Sequence, residues 1–286
     1  MTALRSDRKR PPAKLETARP SRRRLTGLGL PIYVALALVF LLIPIAYTFV
    51  FSFNDSVKSN IAWRGFTFEK WLTVCNEPGL CEAFGNSILV GVVATVLATA
   101  LGTAIAIALV RYRFRFRSSI SLLLFLPMAT PEVVLGAGLA AQFLALGTQK
   151  GIVTVILAHT MFCISFVVVT VKARVASLDP ALEEAGRDLY GSAAQVFWRI
   201  TFPLLLPGIL AAALLSFALS FDDFIITNFN SGAVDTFPKF IYIAAARGIP
   251  AEANVIASAV FILAILIVVV AQVSRSARQK KLAKLN

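Results

Sequence analysis

Four ionisable residues stand in otherwise apolar sequence: Glu132 in "LPMATPEVVLG", His159 in "ILAHTMFCISF", and the neighbours Asp222 and Asp223 in "LSFALSFDDFIITNF". Charged groups in such surroundings are costly, so they either line a route for ions or cations or sit in sealed polar pairs. Phe221 and Phe224 flank the two aspartates. Carboxylate and aromatic face together attract an organic cation, although a polar pair ending a helix at an interface explains Asp222 and Asp223 equally well. Glu132 follows Pro127 and Pro131, which should kink a helix and free its carbonyls, as expected where a helix lines a cavity. A pathway role is the preferred reading of Glu132. His159 reads first as an imidazole hydrogen-bonded between packed helices and second as a proton relay.

Other chemistry lacks its residues. No G-x-x-x-x-G-K-[ST] occurs, nor any Gly-Lys pair, so the chain does not itself build the phosphate cradle of an ATPase. H-E-x-x-H and G-x-S-x-G are missing, and His159 is the single histidine. No catalytic residue, metal centre or cofactor is expected.

The elements that must position these residues follow from composition. Of 286 residues 58% are hydrophobic and 15% charged, and the apolar residues come in long blocks. Six stretches, about 30–53, 84–110, 118–145, 151–171, 203–223 and 253–274, are each long enough to cross a bilayer as a helix. Runs such as "SILVGVVATVLATALGTAIAIALV" lack the alternation of a membrane barrel strand. The expected fold is all-α and polytopic, with six transmembrane helices.

Charge sets the expected orientation. Of the 28 Lys and Arg residues, 22 lie in the N-terminal tail, the 111–117 loop, the 172–199 segment and the C-terminal tail, and six lie in the alternate loops. The positive-inside rule then puts both termini in the cytoplasm. Residues 1–27 read as a basic, disordered cytoplasmic tail, 28–275 as the membrane domain with a cytoplasmic loop at 175–203, and 276–286 as a second basic tail. Anionic lipid suffices as partner for the net charge of +13, and no nucleic acid is needed. "SRRRLTGLGL" has the look of a twin-arginine signal, but the apolar run after it is of span length without a small-residue cleavage site, and a retained first span is expected. Cys75 and Cys81 flank "NEPG" in an external loop where a disulfide is one of two open outcomes, and Cys163 reads as a packing residue.

The stretch "LDPALEEAGRDLYGSAAQVFWRITFPLLLPG", residues 178–208, is unlike its surroundings. Asp179 before Pro180 marks a helix start, with Glu183 and Glu184 in the first turns. Leu182, Ala185, Gly186 and Leu189 share one face, and Glu183, Glu184, Arg187 and Asp188 the other. Glu183 can pair with Arg187 at i,i+4, whereas Glu184 and Asp188 repel, so this row calls for an outside partner. Gly191 is placed to end the helix, and Ser192 with Gln195 forms a capping box for a second one leading to Pro203 and Pro207.

That segment resembles the EAA loop of binding-protein-dependent ABC transporter permeases, E-A-A-x-x-x-G followed nine residues later by I-x-L-P. Glu184 and Ala185 match, Gly186 stands for the second alanine, Ile200 and Pro203 fall at the expected distance, and Phe202 replaces leucine. The motif glycine is Tyr190 here, with Gly191 one residue later. The resemblance implies a MetI-like permease fold and an ATPase-coupling role for Glu183, Glu184, Ala185, Gly186, Arg187, Asp188 and Gly191. It also implies a bacterial inner-membrane location, a related permease as heterodimer partner, two copies of a cytoplasmic ABC ATPase and an extracytoplasmic substrate-binding protein.

"ILAHTMFCISFVVVTVKARVASLDPALEEA", "LSFALSFDDFIITNF" and "NSGAVDTFPKFIYIAAARGIPAEANVIASAV" are similar to the spermidine and putrescine permeases, specifically the second of their paired subunits. The implied function is the transmembrane subunit of a polyamine importer, with Glu132, Asp222, Asp223, Phe221 and Phe224 as substrate pathway and no enzymatic activity of its own. Two alternatives stand beside it: an ABC permease for sulfate, thiamine, iron or an oligosaccharide, and an ion-driven secondary transporter with Glu132, His159 and the aspartates as relay.

Overall fold

The computed structural model describes residues 26–56 and 62–283; the basic tail expected over 1–27 therefore lies almost wholly outside the described residues. The described chain is helical, and its only ladder-type pairing is an isolated bridge between Asn54 and Phe66. Long blocks that are apolar on every side have no alternative in lipid, because a helix satisfies its own backbone groups.

The chain divides into residues 1–47 and 48–286. In the first unit the described residues belong to α1 (Thr26–Phe51), which contains Pro31 and Pro44 and leaves nearly every side chain up to Tyr47 exposed. Its apolar run is of spanning length.

The second unit is built on α3 (Leu80–Arg111), α6 (Ile152–Ala176) and α9 (Phe202–Asp222). Ala94, Ala98, Gly102 and Ala106 recur every fourth residue on α3, forming a stripe of small residues along which α6 approaches. Val167, Val168, Val171 and Val175 of α6 and Leu205, Ile209 and Ala212 of α9 complete this core. A second, smaller core joins Leu80 at the start of α3 to Phe237 of α11 (Phe237–Ala245) and to Ala253 and Ile256 of α12 (Ala251–Ala283). Helix α12 continues through most of the stretch read as a C-terminal tail.

The third span differs from the single kinked helix expected. It is two helices, α4 (Arg117–Ala129) and α5 (Glu132–Ala145), bent by 110° at the break. Pro131 removes the N–H that would continue α4, and the freed end is closed locally, with the Thr130 N–H and hydroxyl both donating to Leu126 O. Glu132 thereby becomes the first residue of α5, where the helix dipole favours a carboxylate.

The bundle has two chemically different ends. At one end are the Arg111–Arg117 turn and the segment α7 (Ala181–Asp188) and α8 (Ala193–Val196). At the other are α2 (Glu69–Leu72), α10 (Ile225–Asn230), α11 and a disulfide between Cys75 and Cys81. Cys163 is buried against Ser216 O, as a packing residue should be.

Candidate functional site

Two regions carry the residues singled out in the sequence. The first is the helix, bend and helix at the basic end. Asp179 Oδ1 accepts the Ala181 N–H, so the expected cap forms. Ser192 and Gln195 cap each other at the start of α8, with the Ser192 N–H donating to Gln195 Oε1 at 2.9 Å. From there the chain stays helical to Asp222, passing through one π-type stretch, Phe197–Thr201. A displacement of α8 is thus handed to α9 without an intervening loop.

The bend itself resolves the displaced glycine of the motif. Tyr190 takes the left-handed conformation, φ 59°. Its N–H donates to Arg187 O, and the Gly191 N–H donates to Gly186 O at 3.1 Å. These are the two bonds of a Schellman cap, with tyrosine where glycine is usual. Gly191 is needed for closeness: a Cβ there would lie 2.6 Å from Gly186 O. At Gly186 a Cβ would lie 2.6 Å from Ile200 Cδ1 and 3.2 Å from Val196 Cγ2, so an alanine there would require those side chains to shift.

The faces of α7 are not divided as the pattern predicts. Glu183 turns inward and pairs with Arg111 at 2.8 Å rather than with Arg187, while also accepting the Thr201 hydroxyl at 3.1 Å. Gly186 on α7 is buried, whereas Glu183 is half-buried. The outward surface combines Glu184, Ala185, Arg187 and Asp188 with Leu182, Leu189 and Tyr190, the last 98% exposed. That surface thus sets an acidic row beside exposed apolar side chains.

The second region is a cavity of about 430 Å³ at the opposite end, lined by Glu132, Leu215, Leu219, Asp222, Asp223 and Phe224 among others. The fold thus brings three carboxylates and one of the two flanking aromatics together from α5, α9 and the start of α10. Phe224 stacks on Tyr242 with ring centroids 4.2 Å apart. Phe221 is not part of the lining and instead packs with Phe84 and Phe217.

The carboxylates are not equivalent. Glu132 and Asp222 are exposed in the chain, whereas Asp223 is buried. Asp223 accepts from the Ile226 and Thr227 N–H groups and from the Thr227 hydroxyl, capping α10, and lies 3.2 Å from His159 Nε2. His159 also meets Ser220 Oγ through Nδ1 at 2.7 Å and Thr227 Oγ1 through Nε2 at 3.0 Å. Asn230 extends the network, its side-chain amide N–H donating to Gly136 O of α5 while its backbone carbonyl accepts the Thr154 hydroxyl of α6. The imidazole therefore joins α6, α9 and α10 behind the cavity wall.

Two arginines have tertiary roles that the sequence pattern does not show. Arg111 and Arg174 count there only as orienting charges, yet Arg174 of α6 donates through Nε and Nη2 to Leu204 O near the start of α9, at 3.0 and 2.8 Å. The available signal was their position at the last turn of each helix, one beside the polar segment and one just before it.

Comparison with known proteins agrees with this architecture. Residues 98–283 match the family model described as "Binding-protein-dependent transport system inner membrane component". The spermidine/putrescine transport system permease protein PotC of Escherichia coli (strain K12) is 34% identical over 234 residues, covering 82% of this chain and 88% of that protein. The putrescine transport system permease protein PotI of the same organism is 32% identical over 235 residues, covering 79% and 83%. Among solved structures, a bacterial ABC transporter involved in the import of the acidic polysaccharide alginate superposes with a TM-score of 0.64 at 18% identity, covering 91% of this chain and 99% of that one. With a family model over most of its length and full-length relatives above 30% identity, the chain belongs to the inner membrane components of binding-protein-dependent transport systems, as a multi-pass transport subunit rather than an enzyme.

Proposed function

We propose that the protein is the permease subunit of an ATP-driven importer of polyamines, coupled to a separate ATPase through residues 179–203. The observation that carries the coupling role is the unbroken helical path from α8 into α9, preceded by an acidic and apolar helix that is exposed among the described residues. The substrate class rests on the similarity to PotC and PotI, and the cavity lined by Glu132 and Asp222 supports it, because a flexible polycation needs carboxylates that are open rather than already bonded. Asp223, engaged by four donors, holds the cavity wall and adds negative potential.

The partners of this reading are a related permease, two ATPase copies and an extracytoplasmic binding protein. Closure of the ATPases would tilt α9 and gate the two permeases against each other by rigid-body motion. The basic end faces the cytoplasm, supported by the concentration of Lys and Arg there and by the disulfide at the other end, where an oxidising compartment suits it. An ion-driven relay is disfavoured because His159 is held by Ser220, Thr227 and Asp223 instead of facing the cavity.

The deciding experiment reconstitutes the permease pair with its ATPase and binding protein in vesicles. Spermidine or putrescine uptake that requires ATP and the binding protein, and survives dissipation of ion gradients, is the expected result; uptake driven by a gradient alone would refute it. Single cysteines placed at positions 226–250 should react with an impermeant reagent from outside, and those at 181–200 only after permeabilisation.

A further inference from the structure

The sequence pattern gives the movement of the coupling segment only one way into the membrane, along the helix into α9. The structure contains a second. A single carboxylate oxygen, Glu183 Oε1, receives Arg111 Nη2 at 2.8 Å and the Thr201 hydroxyl at 3.1 Å. Glu183 belongs to α7, Arg111 is the last residue of α3, and Thr201 lies in the π-type stretch at the root of α9. One atom thus ties the docking helix to two of the three helices that form the core.

We infer that Arg111 is a positioning residue for energy coupling, a strut that carries displacement of α7 into α3 while the covalent chain carries it into α9. This rests on the importer reading above. Three observations support it. The side chains of Arg111 and Glu183 are only 19% and 20% exposed, so water screens the pair weakly, and a charge-assisted bond of this kind is among the stronger polar links. Thr201 is buried, which fixes the third group. Arg111 Nε is buried with no hydrogen-bond partner among the described residues, beside a cavity of about 500 Å³ whose lining includes Arg111, Tyr112, Glu183, Glu184, Arg187 and Thr201.

The last observation distinguishes a strut from a static brace. Arg111 uses one donor of a planar fork that can grip a carboxylate with two. Shift of α7 into the cavity would bring the second Glu183 oxygen to Nε, giving the bidentate arrangement, and reversal would return it to the single bond. An element with two discrete arrangements is the physical requirement for transmitting a conformational change between sites. The clamp from Arg174 to Leu204 O has both Nε and Nη2 already committed, so it keeps α6 and the start of α9 together as a unit rather than switching between arrangements.

The test measures uptake and ATP hydrolysis together in the complete reconstituted complex, comparing wild type with Arg111→Gln, Arg111→Lys and Thr201→Val. Arg111→Gln should assemble and hydrolyse ATP in response to loaded binding protein, while substrate moved per ATP falls by about tenfold, the scale of one charge-assisted bond. Arg111→Lys keeps the charge and one N–H to Glu183 but lacks the fork, so most of the loss in the ratio should remain; full recovery of the ratio in Arg111→Lys would make the contact a static brace and overturn the strut. Thr201→Val should lower the ratio by roughly two- to threefold, less than Arg111→Gln because its bond to the carboxylate comes from a neutral donor at the longer distance of 3.1 Å. Joined to Arg111→Gln it should add little, because both groups act on one oxygen.

An unchanged ratio in Arg111→Gln, or uptake and hydrolysis falling in parallel, overturns the strut. If Arg111→Gln does not assemble, Thr201→Val decides, and an unchanged ratio there overturns it. A wild-type complex without ATP-dependent uptake sinks the importer reading and the strut with it, whereas a competent wild type with unaffected variants sinks the strut alone.

Discussion

The carboxylate of Asp223 lies 3.2 Å from Nε2 of His159, with the two side chains 3% and 1% exposed. This relationship separates two aspartates that are adjacent in sequence. Asp223 is bonded on both oxygens and closes α9 onto α10, whereas Asp222 is exposed to the cavity. Loss of a buried acceptor leaves its donors unsatisfied at about 1–3 kcal/mol. Asp223→Asn and His159→Leu should therefore lower thermal stability in detergent by that order. Asp222→Asn and Glu132→Gln should leave stability unchanged and lower polyamine uptake, more at low ionic strength than at high, because salt already screens the exposed carboxylate in the wild type. Equal melting temperatures for Asp222→Asn and Asp223→Asn would contradict this division.

Tyr190 and Gly191 yield opposite expectations. A tyrosine at φ 59° carries backbone strain that glycine does not, on the order of 1 kcal/mol. Tyr190→Gly should therefore stabilise the bend, and because the side chain is 98% exposed, no packing within the chain is lost. Gly191→Ala forces a Cβ to 2.6 Å from Gly186 O and should open the cap. Hydrogen exchange at the Gly186–Gln195 amides reads both: slower in the first variant, faster in the second. If uptake falls in Tyr190→Gly while protection rises, the aromatic ring is a contact for the ATPase.

Much of this was legible beforehand for physical reasons. The spans follow from hydropathy, because lipid permits little else, and the caps at Asp179 and Ser192 follow from local chemistry that needs no tertiary context. The break at Pro131 was legible as a kink but not as a 110° turn, since Pro127, Thr130 and Pro131 act together with the packing of α5 along α10. Glu183 was assigned to the outer face with Glu184 because helical periodicity groups neighbours without saying which side is buried. The pairing with Arg111 is long-range, and so is the His159 network; neither leaves a trace in spacing. Phe221 and Phe224 look alike in sequence, and only the start of α10 after Asp223 sends them to different neighbours.

Glu184 is exposed on α7, whereas Glu183 is committed to Arg111 and Thr201. Glu184→Lys reverses charge at that surface and leaves both members of the Arg111–Glu183 pair in the sequence. Interfacial charges of this kind contribute roughly 1–3 kcal/mol when reversed, equivalent to about a five- to 150-fold loss of affinity. The ATPase should co-purify poorly with the variant and uptake should fall, while membrane insertion and thermal stability stay at the wild-type level. Wild-type recovery of ATPase together with wild-type uptake would remove Glu184 from the docking surface.

The ion pair between Lys70 and Glu252 makes a prediction about pH. Lys70 Nζ lies 2.9 Å from Glu252 Oε1, joining α2 to the start of α12 at the end that carries the disulfide. The hydrogen bond to Glu252 holds the Lys70 ammonium above its ordinary value of 10.5, against the smaller opposing effect of burial. A raised value means that folding favours the protonated form. The contribution of the pair is therefore complete below 10.5 and fades as pH rises through the value in the folded protein. Lys70→Met should lower stability by about 1–3 kcal/mol, because the Glu252 carboxylate, 8% exposed, is left without its partner. Melting temperatures of wild type and variant, measured in parallel, should differ by the same amount from about pH 7 to 9 and converge only in strong alkali, as the wild-type lysine loses its proton. A gap that instead closes between about pH 7 and 9 would mean that a group other than this lysine titrates at the joint.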